Sequence, residues 1–515
     1  MDGSDEQVEA SRRWGGRRAW VIGGGAAVVA LAVAVGVVVA DDAPDPIASP
    51  RGCGTGAHGT AAAANASKGA ADFDGDGHPD LAFGSMGSVP GGSGGGSIEV
   101  AYGTGAGTGI GRCQYLTQDD AGIPGKNRDE AYFGTDVVAR DLDGDGYTDL
   151  AASVFDWKPS VIIMWGSEDG LSRATRVPGT DVSHVAWDND PILDEQLVGG
   201  DFDGDGHADL VFGLGSDKGL LKGPFGRDGT PAATGSVPAP RRPAPDTANA
   251  NYVDLLAGDL DGDGADDLVS FHAADPDPEA PWARQRRPVS YLHGGRDGFT
   301  QPEGTRLPDA GTGAIGDVDH DGYGDLVLSP RGGDASRSGV TVVYGSEDGP
   351  GKRTTTIDRD TPGVPGAEPQ DEDATFGSLD TGDVNGDGYA DVVAGASRWD
   401  NAYGKPGPEQ VLFLPGGPDG LTGKGARLWE GDDLGAHPGG DADFGASVAL
   451  TDLDGDGRAD LVVAAPGSDT VDGAAYLLPG TADGPSTEGV TRLSADTFDD
   501  TEGLGLLMGG GRIAH

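Results

Sequence analysis

The stretch Asp452-Leu453-Asp454-Gly455-Asp456-Gly457-Arg458-Ala459-Asp460-Leu461-Val462-Val463-Ala464-Ala465 decides the fold. Carboxylates stand at positions 1, 3, 5 and 9 of its acidic half, and a short apolar run follows at once. Alternate carboxylates on a tightly curled loop point inward and supply the hard oxygen donors that Ca²⁺ prefers. Gly457 at position 6 permits the sharp turn, and the carbonyl of position 7, Arg458, is the expected backbone ligand. The apolar run is short and bounded by Asp and Pro, which suits a strand better than a helix. An EF-hand would need flanking helices and Glu at position 12; that position is Val463 and the flanks read as strands. A calcium-binding β-hairpin loop is the better reading, and Mg²⁺, which keeps several waters, fits less well.

The same string begins at Asp72, Asp141, Asp201 and Asp259, and recurs slightly altered at Asp317 and Asp383 before the intact copy at Asp452. Intervals of 58 to 69 residues are the length of a four-stranded blade with generous loops. The expected fold is therefore all-β, a seven-bladed β-propeller with calcium-binding hairpin loops over residues 60–515, binding up to seven Ca²⁺. The candidate metal ligands are Asp72, Asp74, Asp76 and Asp80; Asp141, Asp143, Asp145 and Asp149; Asp201, Asp203, Asp205 and Asp209; and Asp259, Asp261, Asp263 and Asp267. The later copies add Asp317, Asp319, Asp321 and Asp325; Asp383, Asn385, Asp387 and Asp391; and Asp452, Asp454, Asp456 and Asp460. Asn385 is a neutral oxygen donor, and His320 stands where other copies have the position-4 Gly, which strains the curl. Position 7 varies: His78, Tyr147, His207, Ala265, Tyr323, Tyr389 and Arg458. Metal-free Asp-Gly turns are the competing reading, but four carboxylates so close would repel one another without a cation. Each ion is expected to pin one hairpin, a structural role rather than a catalytic one.

Further strands can be read around the loops. Val161-Ile-Ile-Met-Trp-Gly and Val340-Thr-Val-Val-Tyr-Gly are aliphatic runs followed by Gly-Ser-Glu-Asp-Gly turns. Before three loops the chain has Phe133-Gly134, Phe376-Gly377-Ser378 and Phe444-Gly445-Ala446-Ser447. With the acidic loop and Leu461–Pro466, this pattern resembles the FG-GAP (VCBS-like) repeats of the integrin α-subunit N-terminal β-propeller and its bacterial relatives. Elsewhere the Phe-Gly half is degraded, with Asn65, Leu193 and Tyr252 near the expected places. The resemblance implies an interaction module, while integrin ligand binding depends on a partner subunit and does not transfer. The first blade lacks a good first strand, so the tail 504–513 is expected to pair into it and close the ring.

Composition agrees with a propeller. Gly is 94 of 515 residues, which many short strands and tight turns use well and a helical protein does not. A net charge of −50 argues against nucleic acid, since phosphate binding needs Lys/Arg patches. Cys53 and Cys113 are the two cysteines; an exported chain could pair them, and the sequence leaves the pairing open.

Residues 1–18 read as a basic cytoplasmic N-terminus, carrying Arg12, Arg13, Arg17 and Arg18. Residues 19–40 form an uncharged run long enough to cross a bilayer, and the arginines before it place that terminus inside. The run reads as a transmembrane anchor, with a cleaved signal as the alternative. Either way the rest is exported, outside the cell membrane or secreted, and residues 41–59 read as a flexible stalk.

No catalytic motif is recognisable. Gly91-Gly-Ser-Gly-Gly95 matches a nucleophile elbow only formally, in a Gly/Ser-rich linker. His184, His293 and His437 are scattered without evident partners. Trp157, Trp187, Trp282 and Trp399 fall in loops, where they could stack on sugar rings or merely cap blade cores. Pro-rich insertions at about 217–251 and 271–288 would decorate a face. The leading reading is a non-enzymatic, monomeric surface module that binds a protein or glycan. A propeller-based hydrolase or lyase acting on polysaccharide or lipid is the alternative, and a structural spacer the third.

Overall fold

The computed structural model describes residues 46–53, 70–85, 95–105, 109–128, 131–154, 160–180, 195–214, 217–238, 251–273, 288–330, 339–365, 376–396, 409–435, 443–467, 473–498 and 513–514. The apolar run 19–40, Asn65, residues 91–94, Leu193, His184, His437 and the loop tryptophans Trp157, Trp187, Trp282 and Trp399 lie outside them. Among the described residues no helix is long and apolar enough to cross a membrane.

Six of the seven acidic strings become the turn between the first and second strands of a blade, and the string at Asp72 leads into the second strand of the first. In the second blade Val137–Arg140 enters the loop and Asp149–Val154 leaves it, with Arg140 opposite Asp149 at its mouth. Ser160–Trp165 and Arg173–Arg176 complete that antiparallel sheet. The same register recurs, Gly200 opposite Asp209, Gly258 opposite Asp267, Gly316 opposite Asp325, Gly382 opposite Asp391 and Thr451 opposite Asp460. Seven sheets result, one per string, and the first strand of each blade lies against the first strand of the next. The chain is a seven-bladed all-β propeller.

The strand after each loop is apolar on both faces because a blade is packed on both sides. Along Asp460–Ala465, Leu461, Val463 and Ala465 join the cluster shared with the sixth blade, while Val462 and Ala464 join the one shared with the first. Seven apolar clusters fill the seven gaps between neighbouring blades. Outer strands face solvent, and Thr354–Asp358 buries only Ile357.

The three Phe-Gly pairs open first strands by plugging these gaps, with Phe133, Phe376 and Phe444 all buried. Gly134, Gly377 and Gly445 then donate backbone hydrogen bonds to Ser153, Gly395 and Ala464 at 2.9, 2.9 and 3.0 Å. The preceding blade must give room: a Cβ on Gly84 would sit 1.9 Å from the Gly134 carbonyl oxygen, and one on Gly395 2.2 Å from that of Gly445.

Both ends of the folded region meet in the first blade. Ile513–Ala514 pairs antiparallel with Ala82 and Phe83, taking the first-strand place that the sequence left empty. Arg51–Gly52 adds outside Arg112 and Cys113, and Cys53 is disulfide-bonded to Cys113. Residues 46–53 of the expected stalk therefore lie on the propeller, with Ile47 buried and donating its N–H to the Ser172 carbonyl at 2.8 Å. The expected insertion from 217 is also partly sheet, since Asp217–Lys222 and Ala233–Ser236 are strands of the third blade.

The cystines stand 60 residues apart, so the cross-link should stabilise by about 4 kcal/mol on loop-closure entropy. The double variant Cys53→Ser/Cys113→Ser is expected to lose up to about that much in urea unfolding. Deleting residues 511–515 should lower the thermal midpoint by several degrees, because it leaves Ala82 and Phe83 on a free strand edge. An unchanged melting curve would show that closure does not depend on this strand.

Candidate metal centres

Each loop is wound by its own carboxylates. The position-1 Asp accepts the position-6 N–H in all seven copies, from Gly77 to Asp72 at 3.1 Å through Gly457 to Asp452 at 2.9 Å. The position-5 Asp accepts the position-7 N–H in every copy, as Arg458 donates to Asp456 at 2.9 Å. These short-range bonds need a left-handed backbone at positions 4 and 6, which Gly supplies. In the fifth copy His320 takes that conformation with φ 58°, and the loop's bonds survive; the curl is kept at the cost of backbone strain.

The position-9 Asp does more than face the loop. Asp80, Asp149, Asp209, Asp267, Asp325, Asp391 and Asp460 are all buried. One oxygen accepts the position-2 N–H of the same loop in six copies, for example Leu453 to Asp460 at 3.0 Å. The other accepts the N–H of a Gly just after the third strand in all seven, from Gly103 to Asp80 at 3.0 Å through Gly480 to Asp460 at 2.8 Å. The acidic loop and the turn after the third strand are thus stapled together on one face.

Neighbouring loops also interlock. The position-8 N–H donates to the position-1 carbonyl of the preceding loop at Thr148 to Asp72, Asp266 to Asp201, Gly324 to Asp259, Ala390 to Asp317 and Ala459 to Asp383. The first copy has Pro79 at that position and cannot donate, so this link is missing at the seam of the ring. Position-7 side chains lie over the preceding loop: a Cβ on Gly75 would sit 2.6 Å from the Tyr147 ring, and the His320 and Tyr389 rings are 5.7 Å apart.

Donor oxygens are gathered as the spacing predicts. One atom from each of Asp72, Asp74 and Asp80 lies within 4.8 Å of the others, and so for Asp141, Asp143 and Asp149, for Asp201, Asp203 and Asp205, and for Asp259, Asp261 and Asp263. Several of these oxygens are buried with no hydrogen-bond partner: Asp72 Oδ1, Asp203 Oδ1, Asp209 Oδ2 and Asp319 Oδ1. A buried carboxylate oxygen left bare is costly, and a cation is the partner that this donor set fits. Burial pushes the carboxyls of Asp149, Asp209, Asp325, Asp391 and Asp460 up to about 7, and that of Asp267 to about 6, against the hydrogen bonds that favour the anion.

Basic side chains reach the loops from third strands, fourth strands and the turns between them, which spacing alone did not reveal. Arg112 pairs with Asp74, Arg227 with Asp143 and Asp145, Arg353 with Asp319, and Lys222 with Asp203 at 2.6 Å. Three of the arginines lie over aromatic rings, Arg112 on Tyr102, Arg227 on Trp165 and Arg353 on Tyr344. Histidine 293 is not isolated either: His293 Nδ1 is 3.0 Å from Asp261 and 3.2 Å from Asp267. A signal was present, because Tyr102, Trp165, Lys222, His293 and Tyr344 share one slot, just before the Gly that binds the position-9 Asp.

The FG-GAP repeat family matches residues 376–414 and 444–478, within the sixth and seventh blades. Integrin alpha-PS2 of Drosophila melanogaster is 27% identical over 291 residues, covering 50% of this chain and 19% of that protein. The chain thus spans about a fifth of the length of the curated relative it matches. Among solved structures, BBS1N in complex with ARL6DN aligns over 68% of this chain and 80% of that one at 13% identity and a TM-score of 0.36. An Agrocybe aegerita lectin that recognises non-reducing terminal N-acetylglucosamine aligns over 86% and 88% at 15% identity and a TM-score of 0.35. Scores this low bear on neither fold nor function.

Replacing Asp391 by Ala would leave the Val384 and Gly416 N–H groups unpaired, and should cost about 2–4 kcal/mol in urea unfolding. Asp387→Ala, at a more exposed position, should cost less. For the position-9 carboxyls the folded pKa lies above the unfolded value near 3.8. Their ionisation is therefore a penalty, absent below that value and growing as pH rises through about 7. In EDTA the thermal midpoint should rise as pH is lowered from about 8 to about 6. A midpoint that falls instead would mean that these groups are stabilised as anions without a cation.

Proposed function

We propose that the chain, whose sixth and seventh blades match the FG-GAP repeat and which is similar to integrin alpha-PS2, is a calcium-stabilised, non-enzymatic binding or adhesion module displayed outside the membrane. The observation that carries the calcium reading is the set of bare, buried carboxylate oxygens at Asp72, Asp203, Asp209 and Asp319. Positions 1, 3, 5 and 9 of each loop would hold the ion, with Asn385 in place of a carboxylate in the sixth. Bound calcium supplies charge neutralisation for the loop and no reaction step. The loops' own contribution is rigidity, because each holds its own third-strand turn through the position-9 carboxylate and, at five junctions, its neighbour through a backbone hydrogen bond.

Support for an interaction role comes from the similarity to an integrin α chain, a name that implies adhesion. The same similarity, with the apolar run 19–40 and its preceding arginines, supports a surface location with the propeller outside. A net charge of −50 favours a protein or glycan ligand over nucleic acid. The second strands end and the third strands begin at the blade edge opposite the acidic loops, and segments joining strands on a rigid scaffold are where specificity is carried.

Full-length protein should bind several calcium ions, and EGTA should lower its thermal midpoint by roughly 10 °C or more, since each ion stabilises the folded state alone. On a glycan array and a panel of immobilised extracellular proteins, binding should appear in calcium and vanish in EGTA. No bound calcium with an unchanged midpoint would sink the calcium reading. Turnover of a polysaccharide or lipid substrate would sink the non-enzymatic one.

A further inference from the structure

The seven loops trim their negative charge in different ways. Loops 1, 2, 3, 5 and 7 hold four aspartates and one permanent cation each: Arg112, Arg227, Lys222, Arg353 and Arg458 respectively. Loop 6 has no such cation among the described residues, and has the neutral Asn385 in place of a carboxylate. All six therefore reach the same formal balance of three negative charges. Loop 4 departs from them. Asp259, Asp261, Asp263 and Asp267 are all carboxylates, and the side chain that meets them is an imidazole.

That difference is chemical as well as electrostatic. An ammonium or guanidinium has no lone pair to offer a metal, whereas a neutral imidazole does. His293 stands in the slot that Lys222 fills in the third blade, between the third strand and the Gly bound to the position-9 Asp. Its Nδ1 is 3.0 Å from Asp261 Oδ2 and 3.2 Å from Asp267 Oδ1, and its Nε2 is 3.9 Å from Asp263 Oδ2. Ligands around one ion with bonds of about 2.0–2.2 Å stand roughly 3.0–3.4 Å apart, so Nδ1 already has that spacing from both carboxylate oxygens, and all three donors lie within 4.8 Å of one another.

The donors are also held in place. Asp267 is fully buried and oriented by the Tyr291 hydroxyl at 3.1 Å and the Gly294 N–H at 2.9 Å. The His293 backbone is fixed by paired 2.8 Å hydrogen bonds with Thr300. The imidazole keeps 32% of its side-chain surface exposed, which leaves a path for an ion.

We propose that the fourth loop is a mixed nitrogen–oxygen site for a divalent transition metal of the zinc and cobalt class, held by Asp261, Asp267 and His293. All-oxygen loops suit calcium, and one imidazole among carboxylates shifts preference towards metals that accept nitrogen. The site takes its setting from the reading of the loops as cation sites, but does not require calcium in the other six.

The test uses the full chain, stripped with a chelator, equilibrated with excess calcium, and titrated with Co²⁺. Metal content after desalting and the visible cobalt spectrum are read together. One equivalent of Co²⁺ should be retained against calcium, with a spectrum showing a nitrogen ligand, and Zn²⁺ should displace it. In His293→Gln the Co²⁺ affinity should fall at least tenfold, about the scale of losing one metal-orienting group. Calcium content of the other loops and the circular dichroism of that variant should be unchanged, which separates loss of a ligand from loss of fold. No retained Co²⁺ in the wild-type chain would overturn the proposal and leave His293 as a hydrogen-bond partner of the loop. Equal retention by His293→Gln would overturn it as well. Cobalt binding at one equivalent without any calcium bound would refute the calcium reading while this site stood.

Discussion

Seven buried aspartates hold the architecture together. Each position-9 carboxylate receives one backbone N–H from the turn after the third strand, and in six copies another from its own loop. A carboxylate buried between apolar blades would be a liability without those donors. With them it becomes the joint that sets the first-to-second strand turn and the third-to-fourth strand turn on one face. The same residue is the last donor in the acidic string. In the proposed function, local folding and cation binding are therefore coupled through a single side chain.

Apolar packing repeats around the ring in the same way. A strand such as Asp391–Ala396 sends alternate residues to two different gaps, Val393 to one and Val392 with Ala394 to the other. Strands that serve two gaps cannot alternate apolar with polar residues, which is why they read as continuous hydrophobic runs. The gap between the last and first blades is filled by Leu81, Phe83, Val462 and Leu477, so the ring is closed by side chains as well as by the terminal strand. Closure matters because blades with free edges would present unpaired N–H and C=O groups.

Charge explains the variation that the repeats tolerate. The loops concentrate acid far beyond what an ordinary hairpin would hold, and a cation reaching in from another strand, or an amide in place of an acid, relieves each in turn. In two of these pairings an aromatic ring at the end of the third strand and an arginine within the same blade act together, the guanidinium lying over the ring and pairing with the loop, as Arg353 does over Tyr344. The loop face thus serves as a rigid scaffold.

The number of blades, the loop positions and the carboxylate sets were legible in the sequence, because spacing within one loop is a local property repeated seven times. Phe133, Phe376 and Phe444 could be placed for the same reason, and the missing first strand of the first blade implied a returning tail. What the sequence left open depended on distant partners. Cys53 meets Cys113, residues 46–53 lie on the blade instead of forming a stalk, and His293 meets Asp261 and Asp267 only once strand register is set. Arg227 reaches Asp145 across 82 residues by the docking of one blade on the next. The grouping of carboxylates in each loop could be read from the string itself because they are neighbours along the chain. The choice of which basic or imidazole group answers each loop belonged to the tertiary structure, because strand pairing within a blade, and for Arg227 the docking of one blade on the next, brings those groups within bonding distance.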